Sequence, residues 1–115
     1  MSQYLVLIYE DEAGYAQGGE RVWNTVSEEH RVFGQKYADA IKGGEALQST
    51  STATSIRSDG AGGQTVTDGP FAETKEALGG YYMIEAADLD QAIEIAKQVP
   101  ARFGGVEVRP IMVFS

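Results

Sequence analysis

Cysteine is absent from this 115-residue chain. Disulfides, thiol nucleophiles and thiolate zinc sites are therefore excluded at the outset. Histidine occurs once, at position 30, which rules out the usual zinc ligand sets and confines imidazole chemistry to one residue. Basic side chains are scarce, 9 against 17 acidic, for a formal charge of −8. Such a surface repels phosphate backbones and anionic lipids, so nucleic acid and membrane are not expected partners. No apolar run approaches the roughly 20 residues of a membrane-spanning helix. The opening "MSQYLVLIYEDE" has neither the basic region nor the small-residue cleavage site of a signal peptide. A cytoplasmic protein is expected. "DGAGG" lacks the lysine and the strand–helix setting of a phosphate loop, and no serine sits in a glycine-flanked hydrolase elbow. The acidic tip "YEDE" reads as solvated, so neither metal nor cofactor is expected.

What is present is the composition of an ordinary globular protein, 43% hydrophobic and 23% charged, at a length that fits one domain over residues 1–115. "QYLVLIYE" is a short, nearly continuous apolar run and reads as a strand buried on both faces. Residues 11–24, "DEAGYAQGGERVWN", are polar, glycine-containing and aperiodic, and read as a loop, either a lid beside a pocket or a surface loop pinned by Trp23. A first helix is expected from Thr25, where "TVSE" fits a capping box, with Val26, His30, Phe33, Tyr37 and Ile41 along one face and Gly43-Gly44 as its stop. "TATSIRSDGAGGQTVTD" reads as two short strands joined by a glycine-rich turn. "GGYYMIEA" is a strand with Tyr82, Ile84 and Ala86 on one side and Tyr81 and Met83 on the other. Asp88 caps a second helix whose stripe is Leu89, Ala92, Ile93, Ala96 and Val99, ended by Pro100. "GVEVRPIMVF" is the last strand, and Pro110 places it at a sheet edge. Apart from Gly34, the 14 glycines are expected in turns and loops.

Strand, helix, strand, strand, helix, strand is the ferredoxin-like order: an α+β fold with an antiparallel sheet and both helices on one face. The first strand offers Tyr4, Val6 and Ile8 to one side and Leu5, Leu7 and Tyr9 to the other. Helices cover only one side. At roughly 25 cal/mol per Å², leaving the second apolar side wet forfeits several kcal/mol, so a homodimer burying about 1,200 Å² or more is expected.

His30 lies in the first turn of the expected helix. It is either a hydrogen-bonded core imidazole or, with a reference pKa of ~6.5, a base working at neutral pH. A carboxylate that fixes its tautomer would favour the second reading, and Asp68 is the candidate. Pro70 stiffens the chain after Asp68 and Phe71 supplies an apolar anchor. Asp68 is equally suited to capping its own turn. "ETKEA" is a solvated face, with Lys75 and Glu76 guarding the next strand. Arg109, inside an apolar strand, needs an anion: a carboxylate ligand, or Glu107, Glu85 or Asp68.

"VTDGPFAETKEALGGYYMIEAADLDQA", with "GVEVRPI", "YLVLIYEDE" and "EALQSTSTATSIR", resembles the YCII-related proteins of the DGPF type, small bacterial proteins, over nearly the whole chain. The resemblance implies a ferredoxin-like fold assembled as a dimeric α+β barrel. It also implies a histidine–aspartate site, matching His30 in "SEEHRVF" and Asp68 in "TDGPF". Some relatives are linked to lyase-type removal of halide from an aromatic ring, and the DGPF branch to sigma factors of the extracytoplasmic type. Two functions are in play. In one, His30 oriented by Asp68 abstracts a proton from a small molecule, held by Arg109 between walls of Phe71, Tyr82 and Tyr9. In the other, a non-catalytic dimer binds a small molecule or a regulatory protein.

Overall fold

The computed structural model describes residues 1–114, and its sheet is organised around the N-terminal strand. In chain order the elements are β1 (Ser2–Glu10), α1 (Glu12–Lys36), β2 (Ile41–Ala46), β3 (Thr54–Ser58), β4 (Gln64–Asp68), β5 (Ala77–Ala86), α2 (Leu89–Ala96) and β6 (Gly104–Pro110). β1 lies between β5 and β6 in a four-stranded antiparallel sheet of order β2-β5-β1-β6. This is a mixed α+β fold consistent with the ferredoxin-like arrangement. Pro110 is the last residue of β6, an edge strand, as its missing N–H requires.

β1 alternates between the two sides of the sheet. Tyr4, Val6, Ile8 and Glu10 are buried, and the residues between them are only partly so. The buried set meets Ile84 and Ala86 of β5, Phe33 of α1, and Ala92, Ile95 and Ala96 of α2 in one core. Both helices therefore cover one face. α2 starts where expected, Asp88 Oδ1 accepting from the Gln91 N–H at 2.9 Å. Its inward stripe uses Ile95, while Leu89 and Ile93 stay exposed.

Three expectations change. Residues 12–24 are helix: α1 starts at Glu12, capped by Asp11, whose Oδ1 accepts from the Ala13 N–H at 3.0 Å. Thr25 is inside α1 and caps nothing; its hydroxyl donates back to the Arg21 carbonyl. The helix breaks once, at Gly19, where φ is 60° and ψ −153°. Glycine-rich polar sequence has poor helix propensity, and tertiary packing overrides it here. Gly14 faces the Phe103 ring so closely that a Cβ would run into it. Second, Gly43-Gly44 do not stop α1, which ends at Lys36; they lie in β2. Third, the "TATSIR" and "QTVTD" strands, β3 and β4, are not in the main sheet. They form a separate two-stranded hairpin, and the ferredoxin-like pairing uses β2 and β5 instead. β5 is thus a central strand and needs no edge guard. Glycines also occur inside helices and strands, at 14, 44 and 80 for example, where close packing excludes a side chain.

The hairpin stands out as an arm. Ile56 opposite Val66 are 53% and 65% exposed. The radius of gyration is 16.2 Å, against about 13 Å for a compact chain of this length. The extents, 46 × 45 × 18 Å, are those of one helix layer on one sheet.

Two glycines of α1 separate packing from propensity. Gly34→Ala, with no atom within 4 Å of the added Cβ, is expected to stabilise the fold by about 0.5–1 kcal/mol in urea denaturation. Gly14→Ala is expected to destabilise it by about 1–3 kcal/mol through the clash with Phe103. A gain at both positions would show that the Phe103 ring does not fix α1.

Candidate functional site

A cavity of about 630 Å³ opens between α1 and the β2–β5 side of the sheet, roofed by the segment after β2. Ile8 and Glu10 form its floor at the end of β1, and Tyr15, Trp23 and His30 come down from α1. Tyr82 of β5 closes the far wall.

The local sequence explains each placement. Glu10 is the last member of the inward-facing series of β1, so strand alternation turns a carboxylate into the core, 8% exposed. It is satisfied there: Tyr15 donates its hydroxyl at 2.8 Å and the Phe103 backbone N–H donates at 3.2 Å. Burial and this carboxylate both push the Tyr15 phenol upward. Tyr15 packs on Trp23 with centroids 4.7 Å apart, and edge-on against Phe103 at 5.0 Å. The break at Gly19 separates the Tyr15 and Trp23 turns of α1. Glu12 accepts from the Thr50 N–H at 2.8 Å, tying the start of α1 to the roof.

His30 is half-buried. Its Nδ1 lies 2.6 Å from the Tyr82 hydroxyl, and the two rings are stacked at 5.8 Å. Tyr82 has room because its neighbour on β2 is Gly44; a Cβ there would lie 2.9 Å from the tyrosine ring and 2.7 Å from the Tyr81 carbonyl. Phe33 flanks the same ring at 4.9 Å. Desolvation holds the His30 pKa below its ordinary value, against the opposing pull of Glu10 and Glu29. Burial raises the Tyr82 phenol. At neutral pH the pair is therefore imidazole and phenol. One hydrogen bond joins them, donated by Tyr82 or by Nδ1 according to tautomer.

Of the residues anticipated from sequence, the structure brings His30 and Tyr82 together. The hydrogen-bond partner of His30 is Tyr82, and Asp68 is not in the cavity lining. It is exposed at the base of the arm, paired in register with Thr54, ahead of Gly69 with φ 102°. Phe71 is 64% exposed and carries the Arg57 guanidinium 4.9 Å over its ring. Tyr9 points to the sheet face away from the cavity, out of phase with Ile8 and Glu10. Arg109 is exposed on that same far face, its Nε 2.6 Å from Glu107, the intramolecular pairing left open by the sequence. Glu10, Glu12, Tyr15 and Trp23 were not anticipated as a site. The signal for Glu10 is present in the sequence: it keeps the period of Tyr4, Val6 and Ile8. Among the described residues no cluster of three or more acidic, histidine or cysteine side chains is arranged to hold a metal. No helix in them is long and apolar enough to cross a membrane.

Comparison with known proteins agrees with the resemblance of the sequence motifs. A family model described as the YCII-related domain matches residues 2–115. An uncharacterized protein of Rhizobium meliloti (strain 1021) is 39% identical over 117 residues, spanning 97% of this chain and 94% of the relative. The chain belongs to the YCII-related family.

Proposed function

We propose that the cavity is a small-molecule site in which His30, oriented by Tyr82, takes up and returns a proton. The observation that carries this reading is the 2.6 Å contact between His30 Nδ1 and the Tyr82 hydroxyl at the wall of a 630 Å³ cavity. With Nδ1–H donating to the phenol oxygen, Nε2 presents its lone pair as the base. Tyr82 then does for the tautomer what a carboxylate does in a triad. The volume is that of pockets taking small molecules. Lyase-type chemistry, in which a base removes a proton while a group leaves elsewhere on the substrate, fits a single uncharged imidazole.

The same reading includes a second copy of the chain. Leu5 and Leu7 pair across strands with Met83 and Tyr81 on the face that carries no helix. The arm adds Ile56, Val66 and Phe71. A two-stranded hairpin is marginal alone in water, and an uncovered apolar sheet face invites association. A homodimer across this face covers the second side of the sheet.

Three measurements test these statements. His30→Ala should lower the turnover of any substrate found by metabolite screening by about 10²–10⁴-fold. Unchanged turnover removes His30 from the chemistry; ligand-dependent melting without turnover marks a binding protein instead. The second measurement concerns pH. Protonating His30 is harder in the fold than in the unfolded chain. The neutral imidazole thus contributes stability that is complete above about pH 6.5 and is lost as pH falls through its lower folded value. The Tm of the wild type relative to His30→Gln should therefore fall as pH drops below about 6.5; a difference independent of pH contradicts a desolvated imidazole. Finally, sedimentation should find a dimer at micromolar concentration, and Leu7→Lys should shift it to monomer. A monomeric wild type removes the dimer.

A further inference from the structure

We infer that the cavity selects a small organic cation, a ligand carrying an ammonium group, an inference that rests on the reading of the cavity as a ligand site. No lysine or arginine contributes to its lining among the described residues. Three acidic residues do: Glu10 and Glu12, at the end where α1 leaves β1, and Glu45 of β2. Arg102 is near enough to Tyr15 to act on it electrostatically, yet it lies outside the lining and pairs with Glu29 at 3.3 Å. An anionic ligand would meet carboxylates with no cation to balance them. A cation meets the opposite situation.

The aromatic side chains point the same way. Tyr15 and Trp23, tilted 36° to each other with centroids 4.7 Å apart, form a packed aromatic pair in the lining beside Glu10. Tyr82 stands on another wall. Ring faces carry negative quadrupole potential and attract ammonium groups, most strongly where water is displaced. Glu10 keeps capacity for such a group. Its two oxygens accept from Tyr15 and from the Phe103 N–H, and a carboxylate offers about four acceptor sites. Glu10 being buried, its field is screened less than that of a surface carboxylate. This assignment replaces the expectation of an anionic group held by Arg109, which lies on the opposite face of the sheet.

The test uses three probes of one shape on the full chain: choline, its neutral isostere 3,3-dimethylbutan-1-ol, and the anion 3,3-dimethylbutanoate. The chain has one histidine and one tryptophan. The His30 imidazole NMR signal and Trp23 fluorescence therefore report the cavity without ambiguity. Choline is expected to bind at least about tenfold more tightly than the alcohol, with the carboxylate weakest. Trp23→Leu, followed by the imidazole signal, should narrow the choline-to-alcohol ratio to within about threefold. Trp23 is 54% exposed, so the variant is expected to fold. If the alcohol matches choline, or the carboxylate binds more tightly than either, the cationic class is wrong and the cavity remains a ligand site. If none of the three moves either signal at millimolar concentration, the ammonium class is wrong, and the reading of the cavity as a ligand site stands or falls separately on the His30→Ala turnover measurement.

Discussion

The alternation of β1 between the two faces of the sheet is the constraint on which the rest of the molecule depends. Tyr4, Val6 and Ile8 go to the helices and are almost completely buried, while Leu5, Leu7 and Tyr9 go to the other side. A shift of one residue would exchange the two sets. The register to β5 and β6 fixes the first set against Ile84 and Val108, and the second against Met83 and Arg109. Two consequences follow. The inward series ends in Glu10, which puts a carboxylate at the mouth of the core. The outward series leaves an apolar sheet face without a helix.

Glu10 explains why the chain turns into a helix at once after β1. Two helical glycines, at 14 and 18, lower the propensity of this segment by roughly 2 kcal/mol relative to alanine, and Gly19 interrupts it. Helix forms nonetheless, because the start of α1 is held at several points. Asp11 caps it, its own N–H donating to the Phe103 carbonyl at 3.0 Å. Tyr15 is held by Glu10, and Glu12 holds the Thr50 backbone. Hydrogen bonds to charged groups stabilise by about 1.5–3 kcal/mol each, so two of them and the Tyr15–Trp23–Phe103 packing outweigh the propensity deficit. Of the side chains that retain the helix, Glu10, Glu12, Tyr15 and Trp23 also line the cavity. Fold and site share their interactions at this corner, and a substitution of Glu10 would disturb both.

Much of the fold was legible where one period dominates. The inward and outward faces of β1 and β5, the Asp88 cap and the edge position of Pro110 follow from strand alternation, capping chemistry and the missing proline N–H. Over residues 12–24 a local signal, polar and glycine-rich, is opposed by contacts to Phe103, about ninety positions away. Gly43-Gly44 looked like a helix stop for a related reason. The glycine at 44 serves the Tyr82 ring on β5, a demand invisible to any local window. Of the candidate site, His30 was legible as the only histidine, and Tyr82 as an inward residue of its strand. For Asp68 the sequence offers turn stiffness and family resemblance, and neither reports which side chain lies across from an imidazole.

The charge of the ligand and the state of the base are one electrostatic problem. His30 is drawn toward protonation by Glu10 and Glu29 and away from it by desolvation, and desolvation is the larger effect. A bound anion would add to the carboxylates' pull, favour imidazolium and occupy the lone pair that a base needs. An ammonium group near Glu10 acts in reverse. It offsets the carboxylate's attraction for a proton on His30, displaces water and deepens the desolvation that already keeps the ring neutral. With a cation bound, the imidazole would stay free at lower pH than without one. In a protein with so few basic residues, the proposed proton abstraction at this wall would therefore be easiest were the positive charge to arrive with the ligand.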